Sequence, residues 1–157
     1  MFTEEKIKRA ILDDFLVYSS PTLHHTRYKV QGFMYKEPSK KSLFSFTTQE
    51  FYKRYFTIST IWNYMEIKEN ANAQKVDRVM TNEIISIQNI KNLGEDKNAK
   101  SPQWKFYFEI KTKSRDYKLF CPTKEERDLW ISSFNRIMNI PIADTSFKLI
   151  GDVSLQQ

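Results

Sequence analysis

Apolar positions along the chain change period twice. Over residues 3–18 they fall at Ile7, Ile11 and Phe15, a spacing of i, i+4, i+8, while Glu4, Glu5, Lys8, Asp13 and Asp14 lie largely elsewhere. That spacing predicts an amphipathic helix, with Thr3 at the cap position. Ser19-Ser20-Pro21 ends the pattern, because a residue before proline avoids the helical region.

From Tyr28 the pattern shortens to runs of β-forming residues separated by polar loops. Strands are expected over 28–36, 51–59, 61–67, 78–80 and 84–90, with loops over 37–42, 68–76 and 91–103. The clearest alternation is 104–111. There Trp104, Phe106, Phe108 and Ile110 share one face, and Lys105, Tyr107, Glu109 and Lys111 share the other. A polar tip at 112–115 leads to a hairpin partner over 117–121 that continues the alternation through Tyr117 and Leu119.

Helical period returns after Pro122. Thr123 and Glu126 have the spacing of a capping box, and Trp130, Phe134, Ile137 and Met138 follow at i, i+4, i+7, i+8 before Pro141 ends the helix. A stripe of this kind is core, suited to closing one end of a bent antiparallel sheet. Burying an aromatic such as Trp130 is worth about 3 kcal/mol. Beyond Asn139 the tail carries Ile142, Phe147, Leu149, Ile150, Val153 and Leu155, which either pack on the domain or dock onto another chain.

Composition narrows the function classes. With 157 residues, 40% hydrophobic and 15% aromatic, the chain has material for one ordinary core. No apolar run reaches the roughly 18–20 residues needed to cross a bilayer, so an intracellular protein is expected. A net charge of +6 favours an anionic partner, although the basic residues are spread among acids without a like-charged block.

Candidate chemistry is sparse. The single cysteine, Cys121, sits in an apolar stretch and reads as a buried reduced thiol. The adjacent His24 and His25 read as a surface pair, since neighbouring side chains seldom converge on one metal. The three glycines, Gly32, Gly94 and Gly151, are too far apart for a phosphate loop. The carboxylate pairs Glu4-Glu5, Asp13-Asp14 and Glu125-Glu126 suit helix surfaces or first turns. No catalytic residue, metal site or cofactor is assigned.

Four segments in order resemble the pleckstrin-homology (PH) family over about residues 29–138. Gly32-Phe33-Met34-Tyr35-Lys36 is similar to that family's first strand, and Phe51-Tyr52-Lys53-Arg54-Tyr55-Phe56-Thr57-Ile58 to its second. Residues 104–112 are similar to its sixth strand, and residues 123–138 hold the tryptophan of its helix. The resemblance implies a fold that is mainly β with α: a PH-like seven-stranded bent antiparallel barrel capped by a C-terminal helix. The N-terminal helix adds to this. The domain division is then an N-terminal helical extension over 1–27, the PH-like domain over 28–139 and a C-terminal extension over 140–157.

The resemblance also implies a binding module. In the family, phosphoinositide headgroups are held by a lysine late in strand one, basic loop residues and a basic-x-arginine pattern in strand two. Carried onto this sequence, Lys36, Lys40, Lys41, Lys53 and Arg54 become the candidate headgroup site, with Lys53 on the opposite face of its strand. Tyr52 stands where a lipid binder usually has a second cation, and Glu37 follows Lys36 directly. Arg54 has a second available role, its stem packed on aromatics and its head bonded to a carbonyl.

The leading expectation is therefore a non-catalytic, protein-binding scaffold subunit of a larger intracellular assembly. Its protein partners would dock on Ile7, Ile11 and Phe15 or on Phe147, Leu149 and Ile150. The alternative is a peripheral membrane adaptor for phosphoinositides or other anionic lipids. Nucleic acid is disfavoured, the available surface being Tyr107 with Lys105 and Lys111. The expected location is the cytoplasm, at a cytoskeletal or ciliary assembly or peripherally at a membrane.

Overall fold

The computed structural model describes residues 16–37, 51–92, 104–144 and 146–149. Among these the strands are β1 (Leu16–Ser19), β2 (Leu23–Thr26), β3 (Lys29–Lys36), β4 (Tyr52–Ser59), β5 (Tyr64–Lys68), β6 (Val76–Met80), β7 (Ile84–Asn92), β8 (Phe106–Thr112) and β9 (Asp116–Cys121). One α-helix follows, α1 (Lys124–Met138). No described helix is long and apolar enough to cross a membrane.

Seven strands run in the order β6-β5-β4-β3-β9-β8-β7. This is the expected bent antiparallel sheet with its C-terminal helix, but the barrel does not close, since β6 and β7 do not pair. Its two halves meet at a narrow seam. β3 pairs with β4 along its length, from Lys29↔Ser59 to Lys36↔Tyr52, but with β9 only at Tyr35↔Phe120 and Lys36↔Leu119.

The rest of that β3 edge is taken by β2, in register from Leu23↔Gly32 to His25↔Val30. Gly32 makes this possible. A Cβ there would stand 2.3 Å from the Thr22 carbonyl oxygen and 2.9 Å from Leu23 Cα. The same carbonyl accepts the Phe33 N–H at 2.8 Å.

The helix expected over 3–18 falls mostly outside the described residues, and its end differs from expectation. Leu16–Ser19 is a strand paired antiparallel with β2, through Tyr18↔His25 and Ser19↔His24. Leu16, Val17 and Tyr18 suit a pleated surface, and Ser20 makes the turn. Its Oγ accepts the N–H groups of Thr22 and Leu23, each at 3.1 Å. β2 itself, four residues with two histidines, is too short and polar to display a period.

Two further boundaries shift for local reasons. The strand expected from Ile61 begins at Tyr64, because Ile61 and Trp62 lie in a turn closed by the Trp62 N–H on the Ser59 carbonyl at 3.2 Å. Trp104 precedes β8 and leaves the alternation, packing edge-on against Tyr35 at 4.8 Å on the sheet's outer side.

The core fills the inner face. Met34, Phe56, Ile58, Phe108, Ile110, Leu119, Trp130 and Phe134 are all buried. Trp130 packs edge-to-face on Phe56 at 6.5 Å and beside Phe134 at 5.9 Å. Thr123 Oγ1 accepts the Glu126 N–H at 3.1 Å, as a cap should. The Glu126 carboxylate departs from the box: it accepts the hydroxyls of Thr22 at 2.5 Å and Ser20 at 3.3 Å, tying the β1–β2 hairpin to the helix. Asn139, left-handed at φ 57°, terminates α1 where glycine is usual.

Of the two fates open to the tail, packing on the domain holds for its first part. The Ile87 N–H donates to the Pro141 carbonyl at 2.9 Å, and the Ala143 N–H donates to the Ile87 carbonyl at 2.8 Å. Ile142 and Phe147 then pack against the main core.

Candidate functional site

The inner face of the sheet is apolar until its open end, where it becomes polar. On β3 the period-2 series Val30 and Met34, both buried, continues to Lys36, which is half-buried. Cross-strand partners share a face. Pairing of Met34 with Arg54 and of Lys36 with Tyr52 therefore puts Arg54 and Tyr52 on the same side. Ile110↔Tyr117 and Ile67↔Asp77 likewise bring Tyr117 and Asp77 to this rim.

Arg115 enters from the β8–β9 hairpin. Thr112 fixes that turn, its N–H donating to the Arg115 carbonyl and its Oγ1 accepting the Arg115 N–H, each at 3.0 Å. The guanidinium of Arg115 then stands 4.1 Å over the Tyr117 ring, and the Lys36 ammonium stands 5.7 Å from the same ring. Arg54 lies 5.0 Å over Tyr52 and donates from Nη1 to the Lys53 carbonyl at 2.9 Å. Tyr52 thus supplies an aromatic platform where a lipid binder usually has a second cation, and both roles described for Arg54 are compatible with its position.

These charges act on one another. Burial lowers the Lys36 pKa below its ordinary 10.5; Arg115 and Arg54 push the same way and Asp77 opposes them. Burial raises the Tyr117 phenol above 10, with Arg115 countering and Asp77 and Glu83 adding. A half-buried ammonium in the field of two guanidiniums and one carboxylate is an incompletely neutralised cluster that an incoming anion would relieve.

The structure gathers Lys36 and Arg54 but separates Lys53 from them. Lys53 lies on the outer face, 4.8 Å over Phe33 and 5.7 Å from Trp104. Lys40 and Lys41 lie outside the described residues. Arg115 escaped the sequence reading because the family pattern carried over covered the first two strands, and a lone arginine in a hairpin tip carries no signal.

The proposed docking residues divide in the same way. Ile7, Ile11, Phe15 and Ile150 fall outside the described residues, while Phe147 is half-buried against the main core and Leu149 is half-buried.

Three further expectations meet the structure. Cys121 is buried, and desolvation pushes its thiol pKa well above the usual value, so it is an inert core residue. The histidines do not form a surface pair: alternation in β2 leaves His24 exposed and buries His25, whose exposure is 1%. Tyr107 is not an exposed stacking platform either. It is buried against Phe120 at 5.2 Å, with the Lys118 ammonium 4.3 Å over its ring.

An open antiparallel sheet capped by one C-terminal helix, with a cationic rim at its open end, defines a PH-type binding module. Residues 22–140 match the family described as meiotic cell cortex C-terminal pleckstrin homology, so the chain belongs to that family. A comparison with curated proteins found no match. Among solved structures, the chain is similar to the solution structure of the PH domain of human pleckstrin homology domain-containing protein family A member 5. Identity is 15% and the TM-score 0.47, with 74% of this chain and 80% of that one covered.

Proposed function

We propose that the protein is a peripheral membrane adaptor that captures phosphorylated lipid headgroups at the open end of its sheet, through Lys36, Arg54 and Arg115. The observation that carries this reading is the convergence of these cations on the rim, with the Lys36 ammonium in the field of both guanidiniums. Charge-assisted hydrogen bonds from three donors to one phosphate-bearing ring would replace mutual repulsion with attraction. The description of the matched family, meiotic cell cortex, fits a module that works against a membrane-adjacent layer.

The test is co-sedimentation with phosphatidylcholine vesicles containing single phosphoinositides, at low and physiological salt. Wild type is compared with Lys36→Ala/Arg54→Ala and with Arg115→Ala, each checked for folding. The expected result is binding to one phosphoinositide that survives physiological salt and weakens roughly tenfold or more in the variants, the equivalent of about 1.4 kcal/mol. Binding that any anionic lipid supports and physiological salt abolishes would defeat the headgroup reading, since screening weakens exposed charge contacts far more than partly buried ones.

A protein-binding role in a larger assembly is the second reading. It is favoured by a separate aromatic and cationic surface at the other end of the sheet.

A further inference from the structure

At the end of β3 remote from Lys36, the turn before β3 and the turn between β4 and β5 lie side by side. The Thr60 N–H donates to the Tyr28 carbonyl at 2.9 Å and joins them. Two of the four large hydrophobic residues exposed among the described ones are here, Ile61 at 86% and Tyr28 at 55%. Local structure does not account for Ile61, since tight turns favour glycine, asparagine, aspartate and serine. The core does not use it either.

A row of rings and cations adjoins this tip. Trp62 stacks on Tyr64 with centroids 5.1 Å apart and planes at 17°. The Lys29 ammonium is 5.8 Å from the Trp62 ring, and the Arg78 guanidinium is 4.6 Å from the Tyr64 ring. Arg27 is exposed beside Tyr28. Among the described residues Arg27 and Lys29 have no acidic partner, and Arg78 makes a long ion pair with Glu66 at 4.0 Å, its own side chain still more than half exposed.

We infer that this pole is a second binding surface, for an acidic peptide segment of a protein partner that carries an apolar side chain. The apolar side chain covers Ile61 and Tyr28, and the carboxylates reach Arg27, Lys29 and Arg78. Charge complementarity selects the acid. Shape selects the peptide: Ile61 is at the turn tip, whereas Tyr64 and Arg78 stand out from the sheet face. A flat bilayer touching one does not reach the other, but an extended chain can follow both. Seven residue steps of β3, about 23 Å at about 3.3 Å each, separate this pole from Lys36. The inference does not rest on the lipid reading, and both ends can be occupied together.

The test is selection of a random peptide library, displayed on phage, against the immobilised full chain. Selected peptides are then titrated against wild type, Ile61→Ser, Lys29→Glu and Lys36→Ala/Arg54→Ala. The expected result is enrichment of aspartate and glutamate around a leucine, isoleucine or phenylalanine. Affinity should fall roughly tenfold or more in Ile61→Ser and Lys29→Glu, which alter exposed side chains and should keep the wild-type melting temperature. It should be unchanged in Lys36→Ala/Arg54→Ala. No acidic enrichment, binding indifferent to Ile61 and Lys29, or binding lost through Lys36 and Arg54 instead would overturn the proposal. Vesicle binding abolished by Ile61→Ser would assign the tip to lipid and overturn it equally.

Discussion

Arg136, in the last turn of α1, places Nη2 2.7 Å from Nε2 of the buried His25 on β2. A guanidinium only donates, so the imidazole is neutral and accepts at Nε2, which leaves the hydrogen on Nδ1. Nδ1 is buried with no hydrogen-bond partner among the described residues. The hairpin is thereby pinned to the helix at a site that rejects a second proton.

A pH dependence follows from that contact. Burial, then Arg136 and His24, hold the His25 pKa down at about 4, against an ordinary value of 6.5. Between those values the unfolded chain binds the proton and the folded chain does not, so stability falls as pH drops from 6.5 towards 4. The loss from this group is at most about 3 kcal/mol and stops below the folded pKa. Urea denaturation across this range should show the fall in wild type and a reduced slope in His25→Gln. Equal slopes would show that His25 is not the titrating group.

Gly32 serves the hairpin in a different way. Both atoms that a Cβ would meet, the Thr22 carbonyl oxygen at 2.3 Å and Leu23 Cα at 2.9 Å, belong to backbone and cannot rotate aside. Gly32→Ala should therefore cost on the order of 3 kcal/mol and raise amide exchange in β1 and β2 above that of the other strands. Uniform exchange with an unchanged melting temperature would refute this account of the β2–β3 contact.

Trp130 tests the core. It is 1% exposed and wedged between Phe56 and Phe134, so Trp130→Ala should cost about 3–5 kcal/mol through lost burial and a cavity. The melting temperature should drop by on the order of 10 °C. A melting temperature equal to wild type would contradict the packing of α1 on the sheet.

What the sequence made legible follows its periodicity. α1 and β8 each repeat an apolar residue over several turns or pleats, so Trp130, Phe134, Phe108 and Ile110 could be placed from spacing alone. The β1–β2 hairpin could not. Its strands are four residues long, and its attachment depends on contacts distant in sequence: Glu126 with Thr22, and Arg136 with His25. At the rim, Lys36 and Arg54 were legible through the family pattern, whereas Arg115 becomes a neighbour only once the β8–β9 hairpin folds back. Trp104 shows the reverse case, an alternation that runs two residues past the point where the backbone stops being a strand.

The rim itself makes the last prediction. Burial, Arg115 and Arg54 disfavour the charge on Lys36 and Asp77 favours it, so a bound anion would offset the part of the cost that Asp77 leaves. Lys36→Met keeps the stem and removes the charge. Without ligand it should leave the fold as stable as wild type or slightly more so, by less than about 1 kcal/mol, because half-exposed charges are screened. It should also weaken phosphoinositide binding. The two effects have opposite signs only if Lys36 is held for an anion. Thermal denaturation and vesicle co-sedimentation on the same preparation separate the cases: a destabilised variant with unaltered binding would make Lys36 a structural residue of the β3–β9 seam.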